Sequence, residues 1–392
     1  MRYSEKGGFI KSISRRRPLN QKKSVAVAPS AMAGMDSWKV GGIVTLLFVF
    51  FFYSSNLVVP APDAVQGSLR ASSRCETVWC LSNKQEFHFA IVADLDRQSK
   101  VKEAKKPTWR SIFQRATLSR GTDQTWTITW GDDTELKTQL GEAGRGLELS
   151  ELVQWEDRLW TFDDRSGVVF ELDRDLQCIP RFILMEGDGN NSKGQKTEWA
   201  TEKDGRLYVG SFGKPYTNNL GEVTTRNNLW ISIIDPSGRV THEDWTKYYE
   251  KMQQVTNSVF PGYMIHEAIH WDGLHRLWYV LPRRVSSEPY DEKLDESMGS
   301  NLVLAFNEDF TSLEHRQEIG AKVPTHGWSS FKFVPWTNNE VIIALRTMEI
   351  EDKVTGDATQ KTFLTVFNVN GEIYLPEEPI PGDFKFEGIE FL

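Results

Sequence analysis

Cysteine is scarce in this sequence, with three among 392 residues: Cys75, Cys80 and Cys178. No CxxC pair or Cys/His cluster is present, which argues against a zinc site. Cys75 and Cys80 are close enough for a small disulfide loop, but three thiols without a common role are an equally good interpretation. The sequence also has no GxxxxGK[ST] phosphate loop and no GxSxG nucleophile turn, so neither of these common hydrolase motifs operates here.

The main part of the chain has no excess of positive charge. Residues 1–39 contain nine basic and two acidic residues, a net charge of +7 within a total of −8. The remainder therefore carries −15. An acidic body argues against nucleic acid as a partner, because nucleic-acid binding needs a basic surface. It suits a protein that holds a divalent cation.

One apolar run is long enough to cross a bilayer, at Val40–Pro60. The basic residues before it predict a cytoplasmic tail at 1–39, a transmembrane signal-anchor at 40–60 and a lumenal C-terminal body. A late, cleaved signal peptide is the competing interpretation. Residues 61–85 read as a stem, and Asn190 in Asn190-Asn191-Ser192 is a glycosylation acceptor consistent with the lumenal side.

Residues 86–392 read as short strands separated by polar turns, with one short helix near Trp245–Gln254. Three segments repeat an acidic residue in an apolar run, a turn containing Asp, and Arg-Leu-aromatic; they are 148–162, 197–210 and 266–281, and a looser copy spans 329–345. These patterns predict β-hairpins. A further strand follows each hairpin, so four-stranded units recur along the chain. We predict an all-β, five-bladed propeller, with a β-sandwich or two stacked barrels as alternatives.

The first strand of each propeller blade lines the central channel, so equivalent residues of the repeats converge there. The aligned positions are oxygen-bearing and form the predicted metal site: Ser150, Glu151, Glu198, Glu267, Ser329 and Glu387. Oxygen ligands from several blades at one depth favour Ca²⁺, which accepts six to eight of them. The alternative is that they are solvated residues at strand ends.

Seven segments, in an intact order, resemble the calcium-activated nucleotidases, also called soluble calcium-activated apyrases; they are ADLD (93–96), GRGLELSEL (144–152), DDRSG (163–167), GYMIHEA (262–268), LPRR (281–284), PTHGWSSFKF (324–333) and EGIEF (387–391). The resemblance implies a five-bladed propeller with calcium near its centre, held by the six positions above. It also implies hydrolysis of nucleoside di- and triphosphates, such as UDP, GDP, ADP or ATP. Vertebrate members are type II proteins of the endoplasmic reticulum and Golgi apparatus.

The same motifs supply candidates for catalysis and for phosphate binding. Asp94 and Asp96, or Asp163 and Asp164, are expected to position or deprotonate the attacking water, although a turn-forming role competes for the second pair. The phosphate-binding candidates are Arg165, Lys196, Lys214 and Arg284, each of which has a surface ion pair as its alternative role. His266 and His326 are expected to be structural.

Several points stay open from the sequence. Trp199 and Trp328 are candidates for stacking on a base, with core packing as the default role. The sequence does not predict base preference, homodimer formation or release of the protein after cleavage of the anchor. A non-catalytic propeller that recognises protein or glycan, and a calcium-dependent propeller esterase or lactonase, are the alternative functions.

Overall fold

The computed structural model describes residues 85–218, 222–351 and 358–392. The predicted tail at 1–39, the anchor at 40–60, all of the stem except Gln85, and Cys75 and Cys80 lie outside these ranges. Within the described ranges, no helix is both long and apolar enough to cross a bilayer.

Five antiparallel sheets of four strands make up the domain. Sheet 1 contains β1 (Gln85–Asp94), β2 (Trp109–Arg120), β3 (Trp126–Thr138) and the last strand, β22 (Lys385–Phe391). Sheet 2 contains β4 (Leu149–Trp155), β5 (Arg158–Asp163), β6 (Val168–Leu172) and β7 (Cys178–Ile183). Sheet 3 contains β8 (Trp199–Lys203), β9 (Arg206–Gly210), β12 (Trp230–Ile234) and β13 (Val240–Asp244), with a small hairpin of β10 (Tyr216–Thr217) and β11 (Val223–Thr225) inserted.

The last two sheets follow the same order from the inside outwards. Sheet 4 contains β14 (Tyr263–Asp272), β15 (Leu277–Ser286), β16 (Leu302–Asn307) and β17 (Leu313–Glu318). Sheet 5 contains β18 (His326–Phe333), β19 (Val341–Glu351), β20 (Ala358–Asn368) and β21 (Ile373–Pro379). Two α-helices are described, α1 (Thr246–Thr256) and α2 (Glu292–Asp295), and two 3₁₀ turns lie at Asp96–Ser99 and Asn227–Leu229.

The five sheets form a closed ring. Their innermost strands are β22, β4, β8, β14 and β18, and each of them contacts the next one around the ring. The predicted five-bladed propeller with four-stranded blades is therefore confirmed. The short helix predicted near Trp245–Gln254 is also present, as α1.

The two ends of the described domain meet in the first blade. β22 pairs with β1 in antiparallel register, with Phe89 opposite Phe391 and Val92 opposite Gly388. β22 takes the innermost position, while β1 becomes the second strand of the same blade.

The repeated hairpins owe their shape to their turn residues. Glu156 and Asp157 between β4 and β5, and Asp204 and Gly205 between β8 and β9, all have positive φ angles of 51° to 77°. Two consecutive residues with positive φ form the turn that matches the twist of an antiparallel pair. The polar turn before each Arg-Leu-aromatic segment therefore fixes the inner half of a blade.

The core lies between neighbouring blades and is rich in aromatic side chains. α1 buries Tyr249 and Met252 against the core of blades 3 and 4. Trp199 and Trp328 are fully buried in this packing. Neither indole is accessible to a base, so the default role given to them by the sequence is the correct one.

Candidate functional site

A cavity of about 740 Å³ opens on the propeller axis, and we call it the axial cavity. All five blades contribute to its wall. Asp94, Glu148, Glu198, Glu267 and Glu349 each come from a different blade. Because the innermost strands converge here, side chains distant in sequence face a common volume. The wall is strongly charged, with carboxylates and cationic groups interleaved.

Three of the predicted metal ligands meet in this cavity. Glu198 directly precedes β8, Glu267 lies on β14 and Glu387 lies on β22, and all three are buried. The Arg283 guanidinium contacts Glu267 and lies 3.3 Å from Glu387. Lys196 Nζ is 2.5 Å from Glu198. Lys385 Nζ lies 3.5 Å from Glu387, so three carboxylates from three blades are paired with three cationic side chains.

Burial and mutual repulsion act on these carboxylates together. Burial raises the pKa of Glu198 to about 8, and the charge of Glu267 adds to the effect against the attraction of Lys196. Burial likewise raises the pKa of Glu387 well above its usual range, with Glu267 and Asp94 adding repulsion. Like charges that are close together and buried disfavour ionisation of one another. A cation at this point would relieve that repulsion.

The predicted serines lie beside these carboxylates but bind the backbone. The Ser150 hydroxyl donates to the Thr197 carbonyl at 2.7 Å, and the Ser329 hydroxyl donates to the Phe386 carbonyl at 3.1 Å. Each bond joins one innermost strand to the chain of the neighbouring blade, directly before Glu198 or Glu387. The serine oxygens thus border the carboxylate group without lining the axial cavity.

Glu151 is separated from the other predicted ligands. Its carboxylate accepts a hydrogen bond from Ser330 at 2.9 Å and pairs with Lys332 at 3.2 Å. All three side chains are buried, and Glu151 is not part of the wall of the axial cavity. Burial raises the pKa of Glu151 to about 7. This side chain forms a buried ion pair between blades 2 and 5.

Asp94 and Asp96, two of the predicted catalytic residues, form a second carboxylate group with Glu148. One oxygen of each lies within 4.8 Å of the others, the spacing of a metal site among the described residues. Lys385 Nζ lies 2.6 Å from Asp94, and Arg145 contacts Glu148 and, at 3.1 Å, Asp96. Two cationic side chains therefore already neutralise much of this group.

The three carboxyl groups differ in their proton affinity. Burial raises the pKa of Asp94 well above its usual value and that of Glu148 to about 7. Burial acts on Asp96 in the same direction, but Lys385 and Arg145 outweigh it and lower the pKa of Asp96 to about 2. Adjacent carboxyl groups with separated pKa values are typical of acid–base sites.

Asp163 and Asp164 have different surroundings. The Asp163 carboxylate accepts hydrogen bonds from the backbone N–H groups of Leu147 and Arg165, and from the Ser166 hydroxyl. It holds the turn after β5, the alternative role weighed from the sequence. Asp164 lines the axial cavity and pairs with Lys196 at 2.5 Å.

All four predicted phosphate-binding residues line the axial cavity: Arg165, Lys196, Lys214 and Arg284. Arg165 pairs with Glu142 at 3.2 Å, and Lys196 pairs with Asp164 and Glu198. Arg284 is 3% exposed, and its Nη1 and Nε atoms have no hydrogen-bond partner among the described residues. A buried guanidinium with unused donors in a cavity wall is suited to an anionic ligand.

Comparisons with known proteins support a single family. A protein-family model described as Apyrase matches residues 95–392. An apyrase of Cimex lectularius is 39% identical over 79% of this chain and 83% of the relative. The soluble calcium-activated nucleotidase 1 of Rattus norvegicus is 40% identical over 78% and 74%, and the apyrase apy-1 of Caenorhabditis elegans is 34% identical over 78% and 84%. The chain belongs to the apyrase family.

The apyrase match covers every residue in the wall of the axial cavity except Asp94. Sequence reasoning missed nine charged residues of this wall: Arg97, Arg145, Glu148, Arg283, Glu292, Asp295, Glu296, Glu349 and Lys385. One signal was available. Lys385 lies two residues before the predicted ligand Glu387 on β22, and residues two apart on a strand share a face.

The two histidines next to the predicted ligands are structural in this apyrase. His266 is fully buried and packs against Tyr249, and burial lowers the pKa of its ring to about 3. His326 pairs with Glu377 and stacks on Phe363 at 4.1 Å. Neither ring lines the axial cavity.

Proposed function

We propose that this apyrase-family chain hydrolyses the terminal phosphate of nucleoside di- and triphosphates in the axial cavity, with Ca²⁺ bound on the propeller axis. The observation that carries the proposal is the convergence of Glu198, Glu267 and Glu387 from three blades beside the cationic side chains of Lys196, Arg283 and Lys385. Such a site accommodates a cation and a polyanion together. The names of two relatives, soluble calcium-activated nucleotidase 1 from rat and mouse, add support for calcium.

The donor set fits a hard cation. Carboxylate oxygens of Glu198, Glu267 and Glu387 would hold Ca²⁺, with oxygens of Ser150 and Ser329 at the border of the group. The absence of thiol or imidazole donors from these five positions favours calcium over zinc. Burial and mutual repulsion of the carboxylates, which raise the pKa of Glu198 and Glu387, are the electrostatic condition that a divalent ion would relieve.

Bound calcium would offset negative charge on the phosphate chain and on the leaving group. Arg284 is placed to donate to phosphate oxygens, since its Nη1 atom has no hydrogen-bond partner among the described residues and its Nε atom lies 3.6 Å from Asp295, beyond hydrogen-bond distance. Lys196, Lys214 and Arg165 would complete the binding of the phosphate chain. These residues orient the terminal phosphorus for attack by water.

Asp94 and Asp96 would orient and deprotonate the attacking water. Asp96 stays ionised because its pKa is lowered to about 2, so it can orient a water O–H. The raised pKa of Asp94 makes its carboxylate the stronger base, and it would take the proton. A bond forms between the water oxygen and phosphorus, the bridging P–O bond breaks, and the nucleotide leaves with one phosphate fewer.

The test is phosphate release from UDP, GDP and ADP by the full chain, with and without calcium. We expect release only with calcium, and a fall in kcat/KM of about 100-fold or more in Glu198→Gln, the size associated with losing an electrostatic contact in the transition state. The control is Glu314→Gln, which makes the same chemical change at an exposed strand position in blade 4. Calcium-independent release, or full activity of Glu198→Gln, would refute the proposal.

A binding measurement separates the two carboxylate groups. Calcium that binds the folded state raises the melting temperature. We expect this rise in the wild type and in Glu148→Gln, but not in Glu198→Gln. The reverse pattern would place the ion at the Asp94, Asp96 and Glu148 group instead.

A further inference from the structure

A second pocket adjoins the axial cavity, and we call it the side pocket. It has a volume of about 340 Å³ and lies between α1, the turn at 259–262 and the segment around Tyr290. Lys214, Thr217 and Tyr290 belong to the walls of both cavities. Because the two volumes share these residues, one ligand of sufficient length can occupy both.

The wall of the side pocket contains fewer charged and more aromatic side chains than the wall of the axial cavity. Its wall includes the rings of Tyr263 and Tyr290, whose centroids are 5.3 Å apart at 75°, and Phe260 at the rim, which is 67% exposed. The Tyr263 hydroxyl donates to Asp295 at 2.6 Å, which holds that ring in place. Fixed aromatic faces beside a charged cavity are suited to a flat, heteroaromatic group that carries an anionic tail.

One face of α1 supplies the polar edge of the side pocket. Thr246, Glu250 and Gln253 line it at positions i, i+4 and i+7, a spacing that places side chains on a single helix face. They present a hydroxyl, a carboxylate and an amide, which together offer hydrogen-bond donors and acceptors. A nucleobase edge requires such a mixture, whereas a lipid or an apolar peptide does not.

The distance between the two cavities matches the length of a nucleotide. Tyr263 and Glu267 lie on β14, four residues apart, which corresponds to at most about 13 Å, since register irregularities at His266 shorten the strand. An extended nucleoside diphosphate covers a comparable distance from its base to its terminal phosphate. Lys214 lies at the junction, with its Nζ 3.9 Å from the centroid of the Tyr290 ring. A cation at that point is placed for the phosphate closest to the ribose.

We propose that the side pocket binds the base and ribose of the nucleotide whose phosphates occupy the axial cavity, with Tyr290 and the Thr246–Gln253 face of α1 as its recognition elements. This inference rests on the proposed function for the identity of the ligand. It also predicts that base preference is decided at α1, outside the charged wall.

The test is equilibrium dialysis of UDP and of pyrophosphate against the full chain, together with KM for UDP. Thr246→Trp fills the side pocket, and Tyr290→Ala removes an aromatic face. We expect each to weaken UDP binding and raise KM by about 10-fold or more, the range of base–aromatic stacking. Pyrophosphate affinity should stay unchanged in Thr246→Trp, because pyrophosphate occupies the axial cavity alone.

Two further variants serve as controls. Lys247→Trp places the same bulky ring on the adjacent α1 residue, which does not line the side pocket, and should leave UDP binding unchanged. Tyr290→Phe keeps the ring and should restore it. If folded Thr246→Trp binds UDP as tightly as the wild type, the inference is wrong. If no nucleotide is hydrolysed but Thr246→Trp weakens UDP binding and not pyrophosphate binding, only the proposed function fails.

Discussion

His270 is a half-buried histidine that does not line the axial cavity. It lies on β14, and its Nδ1 is 3.1 Å from the Thr201 hydroxyl. The rings of Phe331 and Phe333 pack against it, each within 5.8 Å. Burial lowers the pKa of His270 to about 3, and the positive charge of Lys332 acts in the same direction. The ring is therefore neutral in the folded protein.

His270 makes folding sensitive to acid. Its pKa is lower in the folded protein than in the unfolded chain, so the unfolded chain binds more protons as the pH falls below about 6.5. The wild type should lose roughly 1–2 kcal/mol of unfolding free energy relative to His270→Gln between pH 7.5 and pH 5. Urea unfolding at a series of pH values measures the difference.

The matched control is His88→Gln, at an exposed position on β1. Its unfolding free energy should follow the wild type across the pH range. If the unfolding free energies of the wild type and His270→Gln change with pH in the same way, the His270 ring is protonated as easily in the folded protein as in the unfolded chain.

Glu151 lies in an irregular part of β4, which the repeat pattern does not predict. Alternation along β4 predicts which side chains face the channel, but the pairing of β4 with β5 shifts register between Leu149 and Leu152. Such a bulge changes the direction in which the side chains within it project from the strand. The motif does not reveal the bulge, and the partner of Glu151, Lys332, lies 181 residues away in sequence.

At the scale of elements, β22 and β4 approach each other unusually closely. A Cβ atom built on Gly388 would lie 2.6 Å from the backbone carbon of Glu151 and 2.7 Å from the nitrogen of Leu152. Real Cβ atoms do not come so close to a backbone, so only glycine permits this packing.

Gly388→Ala should therefore push β22 away from β4 and destabilise the fold. We expect a loss of about 1–3 kcal/mol, the usual cost of overpacking, measured by chemical denaturation. Gly273→Ala is the control, because the nearest atom to its new Cβ is 3.7 Å away. Equal stability of the two variants would contradict the close contact.

The inner hairpins and α1 were predictable because their signals are local. Turn residues such as Asp157 and Asp204, followed by Arg-Leu-aromatic, specify a hairpin without reference to the rest of the chain. The segments that bring Arg145 and Tyr290 to the two cavities carry no periodic pattern. Their positions depend on packing between blades, which a local pattern does not encode.

At the scale of the whole molecule, the ring depends on the C-terminal strand. Without residues 385–392, β1 would have an open edge and the innermost position of blade 1 would be empty. Open edges invite aggregation. We expect this deletion to abolish the single cooperative thermal transition seen by circular dichroism and to produce aggregates on size exclusion.

Deletion of Leu392 alone is the control for this prediction. Leu392 lies beyond β22, so its removal leaves every strand of blade 1 in place, and the melting curve should match the wild type. If a truncated protein lacking residues 385–392 still melts sharply as a monomer, the propeller folds without β22 and the prediction is wrong.

The closure of the ring has a consequence for biosynthesis. Lys385 and Glu387, which line the axial cavity, lie on β22, whereas the other three strands of blade 1 lie within residues 85–138. Domains generally fold as their segments emerge from the ribosome, but blade 1 cannot be completed until blades 2 to 5 have been synthesised. The first three strands of the domain therefore stay longest in an incomplete sheet, because the edge of β1 remains open until β22 is made.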